Sequence, residues 1–222
     1  MKNLPFESLE EMAESTASGL VQAATGAAFD LFQDKKFRRL ADFDKLSKSE
    51  HDRIFNELLC AYLILIMLIL EAPDLRVDSN TRNYFSDLKD RIPRAHIEQL
   101  KSLGVESEHL DDWQVLLDMR YKEYSKDKHD VRAAAMQLEG AEKELDLDDL
   151  AKIQLLVPVQ AVAIGTHQHN VRGKTKGKDE LFKYMLASLS RFYVELRIRF
   201  EGGKVTPFTK LQVALKKLLR RL

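Results

Sequence analysis

The chain has 222 residues, of which 45% are apolar and 32% charged, and its 35 basic and 35 acidic side chains give a net charge of zero. This composition predicts a globular protein with a real core, built as one large domain or two small ones. Nine glycines and five prolines are too few for an all-β sandwich with many tight turns, and a single cysteine, Cys60, excludes an internal disulfide.

The first predicted element is a long N-terminal helix. Ser8 and Glu11 form an S-x-x-E capping box, which predicts a helix start at this point. We expect the helix to continue to about Arg39. It carries small residues at spacings of three and four, which predict close packing against another helix: Ala17, Gly19, Ala23, Gly26 and Ala27.

The second predicted helix contains the most apolar stretch of the chain. Ser47 and Glu50 form another capping box, and residues 58–70 are thirteen consecutive apolar residues. As a helix this stretch spans roughly 20 Å, which is short of the ~30 Å hydrocarbon layer of a bilayer. We therefore expect a central buried helix that ends near Pro73, with a membrane-associated element as the alternative.

Two further helices are predicted in the middle of the chain. Residues 84–92 begin a helix that Pro93 is expected to break or kink, and Gly104 is a natural left-handed helix end. Residues 107–140 then carry a long apolar stripe at helical spacing, with Ser107 as the expected cap. Lys128 stands where one member of the stripe should be.

In the C-terminal part of the chain, the sequence pattern predicts a helix kinked at Pro158, followed by a basic glycine-containing loop at residues 171–178. It then predicts a helix over residues 182–200 and a last helix that begins at Thr206 and Pro207. The whole pattern predicts an all-α, multi-helix bundle of about seven or eight helices around a central, fully apolar helix. We expect one helical domain over residues 1–222, with a candidate boundary near residue 146.

The neutral total charge conceals a strong segregation. Residues 171–222 hold 14 basic and 4 acidic residues, a net charge of +10, whereas residues 1–170 hold 21 basic and 31 acidic residues. Segregation of this size indicates either an anionic partner or docking of unlike surfaces. Residues 106–149, with 14 acidic and 6 basic residues, offer such a surface within the same chain.

The basic C-terminal subregion supplies the candidate anion-binding residues. Its loop contains glycines that let the backbone approach a ligand, and cationic clusters of this kind neutralise phosphates. The nearby aromatic residues are better explained as core, so nucleic-acid contact would be mainly with the phosphate backbone rather than with bases. The candidate residues are Arg172, Lys174, Lys176, Lys178, Lys210, Lys217, Arg220 and Arg221.

Other polar patterns fall short of a catalytic or metal site. Residues 173–175 match the end of a phosphate-binding loop, but Gln168 stands where that motif needs its first glycine. His167 and His169 would point about 200° apart on a helix and cannot share a metal ion there. We therefore predict no catalytic residues, no metal site and no cofactor.

One spacing nevertheless suggests an enzyme. Arg91 and His96 form an R-x4-H pattern that resembles the motif of HEPN-type ribonucleases, a family of small helical proteins. The resemblance implies that Arg91 stabilises charge on the phosphorane and that His96 handles the proton. Ile92 stands where that family usually has a polar residue, and Pro93 follows it.

The leading interpretation is a non-enzymatic, helical interaction protein whose basic C-terminal segment engages an anionic partner in a regulatory or scaffolding role. Nucleic acid is the favoured partner, and an acidic protein surface is the other. The alternatives are a homo-oligomeric scaffold with complementary acidic and basic surfaces, and the HEPN-like ribonuclease. Residues 1–14 lack the apolar stretch of a signal peptide, so we expect a cytoplasmic protein without a transmembrane segment.

Overall fold

The computed structural model describes residues 8–141, 144–172 and 176–203. These residues form seven α-helices and one short 3-10 turn, with no strand among them, which confirms the predicted all-α bundle. The eighth helix expected from Thr206 lies outside the described residues. The helices are α1 (Leu9–Gln33), α2 (Lys35–Leu40), α3 (Lys48–Leu70), α4 (Ser79–Ser102), α5 (Ser107–Gly140), α6 (Leu147–Val171) and α7 (Asp179–Phe200), with the 3-10 turn at Phe43–Lys45.

Helix α3 is the centre of the bundle, as the apolar run predicts. Each of residues 58–70 is at most 7% exposed, because α1, α4, α5, α6 and α7 all pack against α3. By length and hydropathy, α3 is also the one helix of the described part that could span a membrane, and the bundle buries 83% of its most apolar window. Helices α5 and α6, on either side of the candidate boundary near residue 146, pack against each other.

The prediction of one continuous N-terminal helix to Arg39 is wrong. Helix α1 ends at Gln33, and Asp34 adopts an extended conformation. The Asp34 side chain accepts a hydrogen bond of 2.8 Å from the backbone N–H of Phe37, which caps the separate helix α2. The break turns the chain so that Phe37 is fully buried.

The small residues of α1 pack differently from the prediction. Ala17, Ala24 and Ala28 are buried on the face that meets α3 and α4. Gly19 and Gly26 are exposed, and a Cβ atom added at either one would meet no atom within 4 Å. Close packing of α1 therefore depends on alanines, and the two glycines lie on its outer face.

The ends of the helices are mostly as the sequence predicts. Ser8 and Ser47 cap α1 and α3 through their side chains, and Gly104 has the left-handed φ of 81° expected at a helix end. Pro93 and Pro158 lie inside α4 and α6, and neither proline ends its helix. The expected cap of α5 is displaced by one residue, since Glu106 precedes the helix and Ser107 is its first residue.

Candidate functional site

The basic loop between α6 and α7 is anchored to the end of α2. The backbone turns at Arg172, which has a left-handed φ of 50° and whose N–H donates to the carbonyl of Gln168. On the other side of the loop, Lys178 Nζ donates a hydrogen bond of 2.9 Å to the carbonyl of Leu40 and also contacts the carboxylate of Asp42. These contacts hold Lys178, at the α7 end of the loop, against the end of α2.

The structure describes three of the eight predicted anion-binding residues. Arg172 forms an ion pair of 2.8 Å with Glu50, although its side chain remains 63% exposed. Lys178 pairs with Asp42, and this hydrogen bond lowers the pKa of the Asp42 carboxyl. Lys176 is exposed. The other five lie outside the described residues: Lys174, Lys210, Lys217, Arg220 and Arg221.

Sequence reasoning missed a second basic segment beside this loop. Helix α2 carries the exposed side chains of Lys35, Lys36 and Arg39, and Lys36 Nζ lies 5.0 Å from the ring centroid of Tyr184 on α7. The sequence shows this segment as the K-K-x-R-R run at residues 35–39. The predicted continuous first helix did not place this run beside the loop. We name these cations with the loop cations the basic surface: Lys35, Lys36, Arg39, Arg172, Lys176 and Lys178.

The basic surface is connected to the bundle by the C-terminal end of α6. Glu50 accepts hydrogen bonds from Arg53 as well as pairing with Arg172. The Arg53 guanidinium also donates to the carbonyls of His169, at 2.6 Å, and Asn170, at 3.1 Å. Carbonyls at a helix end lack partners within the helix, so Arg53 satisfies two of them and fixes the start of the loop.

A buried ion pair continues this network into the core. Glu57 on α3 is 6% exposed, and Arg120 on α5 donates to its two carboxylate oxygens at 2.6 and 2.9 Å. Arg120 also donates to Glu123 at 3.2 Å, and His169 Nε2 lies 2.8 Å from the other oxygen of Glu123. The network joins α3, α5 and α6 below the loop.

The structure does not bring Arg91 and His96 together in an open site. His96 is 1% exposed and its ring packs edge-on against Trp113, with 4.9 Å between the centroids. Arg91 instead forms ion pairs with Asp87, at 2.9 Å, and with Glu14 on α1, at 3.5 Å. This geometry gives no support to the ribonuclease alternative.

Burial of His96 makes the stability of the protein dependent on pH. Burial lowers the pKa of His96 from 6.5 to about 4, so below pH 6.5 the unfolded chain binds a proton that the folded chain excludes until about pH 4. Folding stability should therefore fall with acidification, by about 2 kcal/mol between pH 7 and pH 5. Urea unfolding of the wild type and of His96→Gln at both pH values measures this loss.

The variant should show a smaller loss than the wild type over the same interval, because glutamine does not titrate. His167, whose pKa burial also lowers, remains in both proteins and cancels in the comparison. An equal loss of stability in the two proteins would contradict the assignment to His96.

The other candidate nucleophiles and metal ligands are separated. His167 is buried against Phe182, whereas His169 faces Glu123, so the two rings diverge as helical spacing predicts. The described residues contain no group of three or more His, Cys, Asp or Glu side chains that could hold a metal ion. Cys60 is fully buried, and burial raises the pKa of its thiol.

What distinguishes the candidate site is therefore cationic charge at the loop and on α2, supported by a buried polar network. Comparison of the chain with protein-family models, with curated proteins and with solved structures finds no match.

Proposed function

We propose that the protein is a cytoplasmic, non-enzymatic helical interaction protein whose basic C-terminal part engages an anionic partner in a regulatory or scaffolding role. Nucleic acid is the favoured partner. The observation that carries the proposal is the charge segregation, since residues 171–222 have a net charge of +10. Within this part, residues 204–222 contain six basic residues and no acidic one.

The basic surface supports this proposal because it adds cations from another part of the chain. Lys35, Lys36 and Arg39 on α2 are exposed, and α2 is held beside the loop by Lys178. A polyanion that contacts the loop would meet these cations as well. Each phosphate neutralised by a lysine or arginine releases counterions, and this release favours binding at low salt.

The carboxylates near the loop leave Arg172 available to a polyanion, whereas Lys178 is 21% exposed and is held by Asp42 and by the carbonyl of Leu40. Arg172 and Lys178 are each paired with a carboxylate of the chain. The side chain of Arg172 is nevertheless 63% exposed, although Glu50 is only 24% exposed. Arg172 can therefore donate to a phosphate from its exposed side, while Glu50 keeps its hydrogen bonds from Arg53.

Binding to labelled double-stranded DNA and single-stranded RNA, measured by fluorescence anisotropy, tests the proposal. We expect affinity to fall at least tenfold between about 50 and about 200 mM KCl, because several phosphates are neutralised. A triple variant, Lys35→Gln, Lys36→Gln and Arg39→Gln, should bind more weakly and show a shallower salt dependence. The matched control changes three exposed cations of α4 and α5: Arg94→Gln, Lys101→Gln and Lys126→Gln.

The two triple variants have the same net charge, so only the location of the lost cations differs. Absence of binding at the lower salt concentration would reject the nucleic-acid form of the proposal. Equal weakening by both triple variants would show that net charge alone governs binding and would reject the assignment to the basic surface.

Self-association is a second candidate, favoured by apolar side chains on the outside of α5. Val115 is 65% exposed and Leu138 is 73% exposed. Both belong to the segment of residues 106–149, in which acidic residues outnumber basic ones. Light scattering over the same salt series, without nucleic acid, tests it. A scaffold paired through acidic and basic surfaces should lose mass as salt rises, whereas a constant monomer mass would reject it.

A further inference from the structure

A cleft opens between the C-terminal end of α3, the middle of α5 and the middle of α6. Its volume of about 490 Å³ lies in the range of about 300–1,000 Å³ that is usual for small-molecule sites. Its apolar lining consists of the exposed Pro73 and of the buried side chains of Leu68, Val157 and Pro158. One face of α5 supplies the polar part, which includes Tyr121, Ser125, Lys128 and Arg132.

The carboxylate in this wall is already satisfied. Lys128, the residue that interrupts the apolar stripe of α5, donates a hydrogen bond of 2.7 Å to Glu71, and the Tyr121 hydroxyl donates to the other oxygen at 2.6 Å. Although burial opposes ionisation, these hydrogen bonds lower the pKa of Glu71. Glu71 is therefore an ionised group whose partners are all supplied by the protein.

Arg132 and Ser125 are in the opposite situation. The structure shows no ion pair between Arg132 and a carboxylate of the described residues, and its Nε atom is buried without a hydrogen-bond partner. Ser125 Oγ is likewise buried without a partner. A buried polar group without a partner destabilises the folded protein, so a ligand that accepts from both residues would relieve this penalty.

The charge of the cleft selects the sign of that ligand. Lys128 and Arg132 contribute two cations, and Glu71 is the single carboxylate among the described residues that line the cleft. The exposed Lys122 at its edge pairs with Asp118 within α5. The cleft thus combines an excess cation, an unpartnered hydroxyl and an apolar wall.

We propose that this cleft binds a small organic anion, whose carboxylate or phosphate group contacts Arg132 and Ser125 and whose apolar part packs against Pro73 and the ring of Tyr121. The ligand is held mainly by the guanidinium, because hydrogen bonds to charged groups are the strong ones. The cleft contains no residue of the basic surface, and the site does not depend on the proposed function.

Isothermal titration with three eight-carbon probes tests the site: octanoate, octyl phosphate and neutral octanol. We expect at least one anion to bind the wild-type protein with a Kd below about 1 mM, and octanol to bind at least tenfold more weakly. Arg132→Gln should raise the Kd of that anion at least tenfold, since a charged hydrogen bond contributes about 1.5–3 kcal/mol. The matched control is Lys101→Gln, which removes an exposed cation outside the cleft.

Ser125→Ala keeps the test decisive if Arg132→Gln does not fold. Because Ser125 Oγ is buried without a partner, its removal should not lower the urea midpoint and should still raise the Kd of the anion severalfold. Preference for octanoate or for octyl phosphate identifies the head group. The proposal is overturned if neither anion binds at up to about 5 mM, if octanol binds as tightly, or if no cleft variant binds more weakly than Lys101→Gln.

Discussion

Replacing Arg120 by methionine is expected to destabilise the folded protein by about 3–5 kcal/mol. Arg120 donates to both carboxylate oxygens of Glu57, which is 6% exposed on the central helix α3. Without the guanidinium, a carboxylate would remain in the core with no counterion, and its desolvation would no longer be offset. Urea unfolding followed by circular dichroism measures the change.

The cost should come from the orphaned carboxylate rather than from the lost arginine itself. We therefore expect the double variant Arg120→Met and Glu57→Met to recover much of the lost stability, because two apolar side chains can replace a buried ion pair. Lys183→Met is the surface control, since Lys183 and Glu180 are 65% and 66% exposed and such pairs contribute at most about 1 kcal/mol. A single variant no less stable than this control would show that Glu57 does not depend on Arg120.

A methyl group at Gly165 is expected to destabilise the protein by about 3 kcal/mol, at the upper end of the usual cost of overpacking. Helix α6 crosses α5 at this glycine, and a Cβ atom there would lie 2.2 Å from Cε1 and 2.8 Å from Cδ1 of Tyr124. The Tyr124 ring is fully buried, and its hydroxyl lies 3.3 Å from Thr166 Oγ1, so the ring has little freedom to move. The change in the urea midpoint of Gly165→Ala gives the measurement.

The matched control for this prediction is Gly26→Ala on the outer face of α1. An added Cβ atom there meets no atom within 4 Å, so the higher helix propensity of alanine should stabilise the protein by up to about 1 kcal/mol. Adding Tyr124→Leu to Gly165→Ala should restore part of the loss, because the two sites are in contact. If both glycine variants changed stability in the same direction, contact with Tyr124 would not be the cause.

Much of the secondary structure follows from neighbouring residues. The capping boxes at Ser8 and Ser47 locate two helix starts, and glycine at position 104 locates a helix end, because these signals act within one turn of the chain. The apolar run at residues 58–70 predicts the central helix without any knowledge of its neighbours, since an all-round apolar helix must be enclosed. The prediction of a continuous first helix is wrong at Asp34. The Asp34 side chain accepts a hydrogen bond from the backbone N–H of Phe37 and so starts the separate helix α2.

The candidate sites depend on contacts between residues that are distant in sequence. Charge counting indicates the basic loop, but only packing places Lys36 against Tyr184 of α7 and so adds α2 to the basic surface. In the sequence, Lys128 interrupts the apolar stripe of α5. The structure shows that Lys128 pairs with Glu71 at the C-terminal end of α3. Arg91 and His96 are five positions apart, but their side chains have different partners. Arg91 pairs with the carboxylate of Asp87, and the His96 ring packs against Trp113.

The sequence by itself determined that this protein is helical, where most helices begin and end, and that positive charge collects toward its C-terminus. These properties depend on periodicity, capping and composition, which are local or additive. Only the tertiary structure decided that Glu57 has a counterion, that His96 is enclosed and that Ser125 and Arg132 share a cleft. Each of these depends on which helix faces which, and side-chain packing across the whole bundle sets that arrangement.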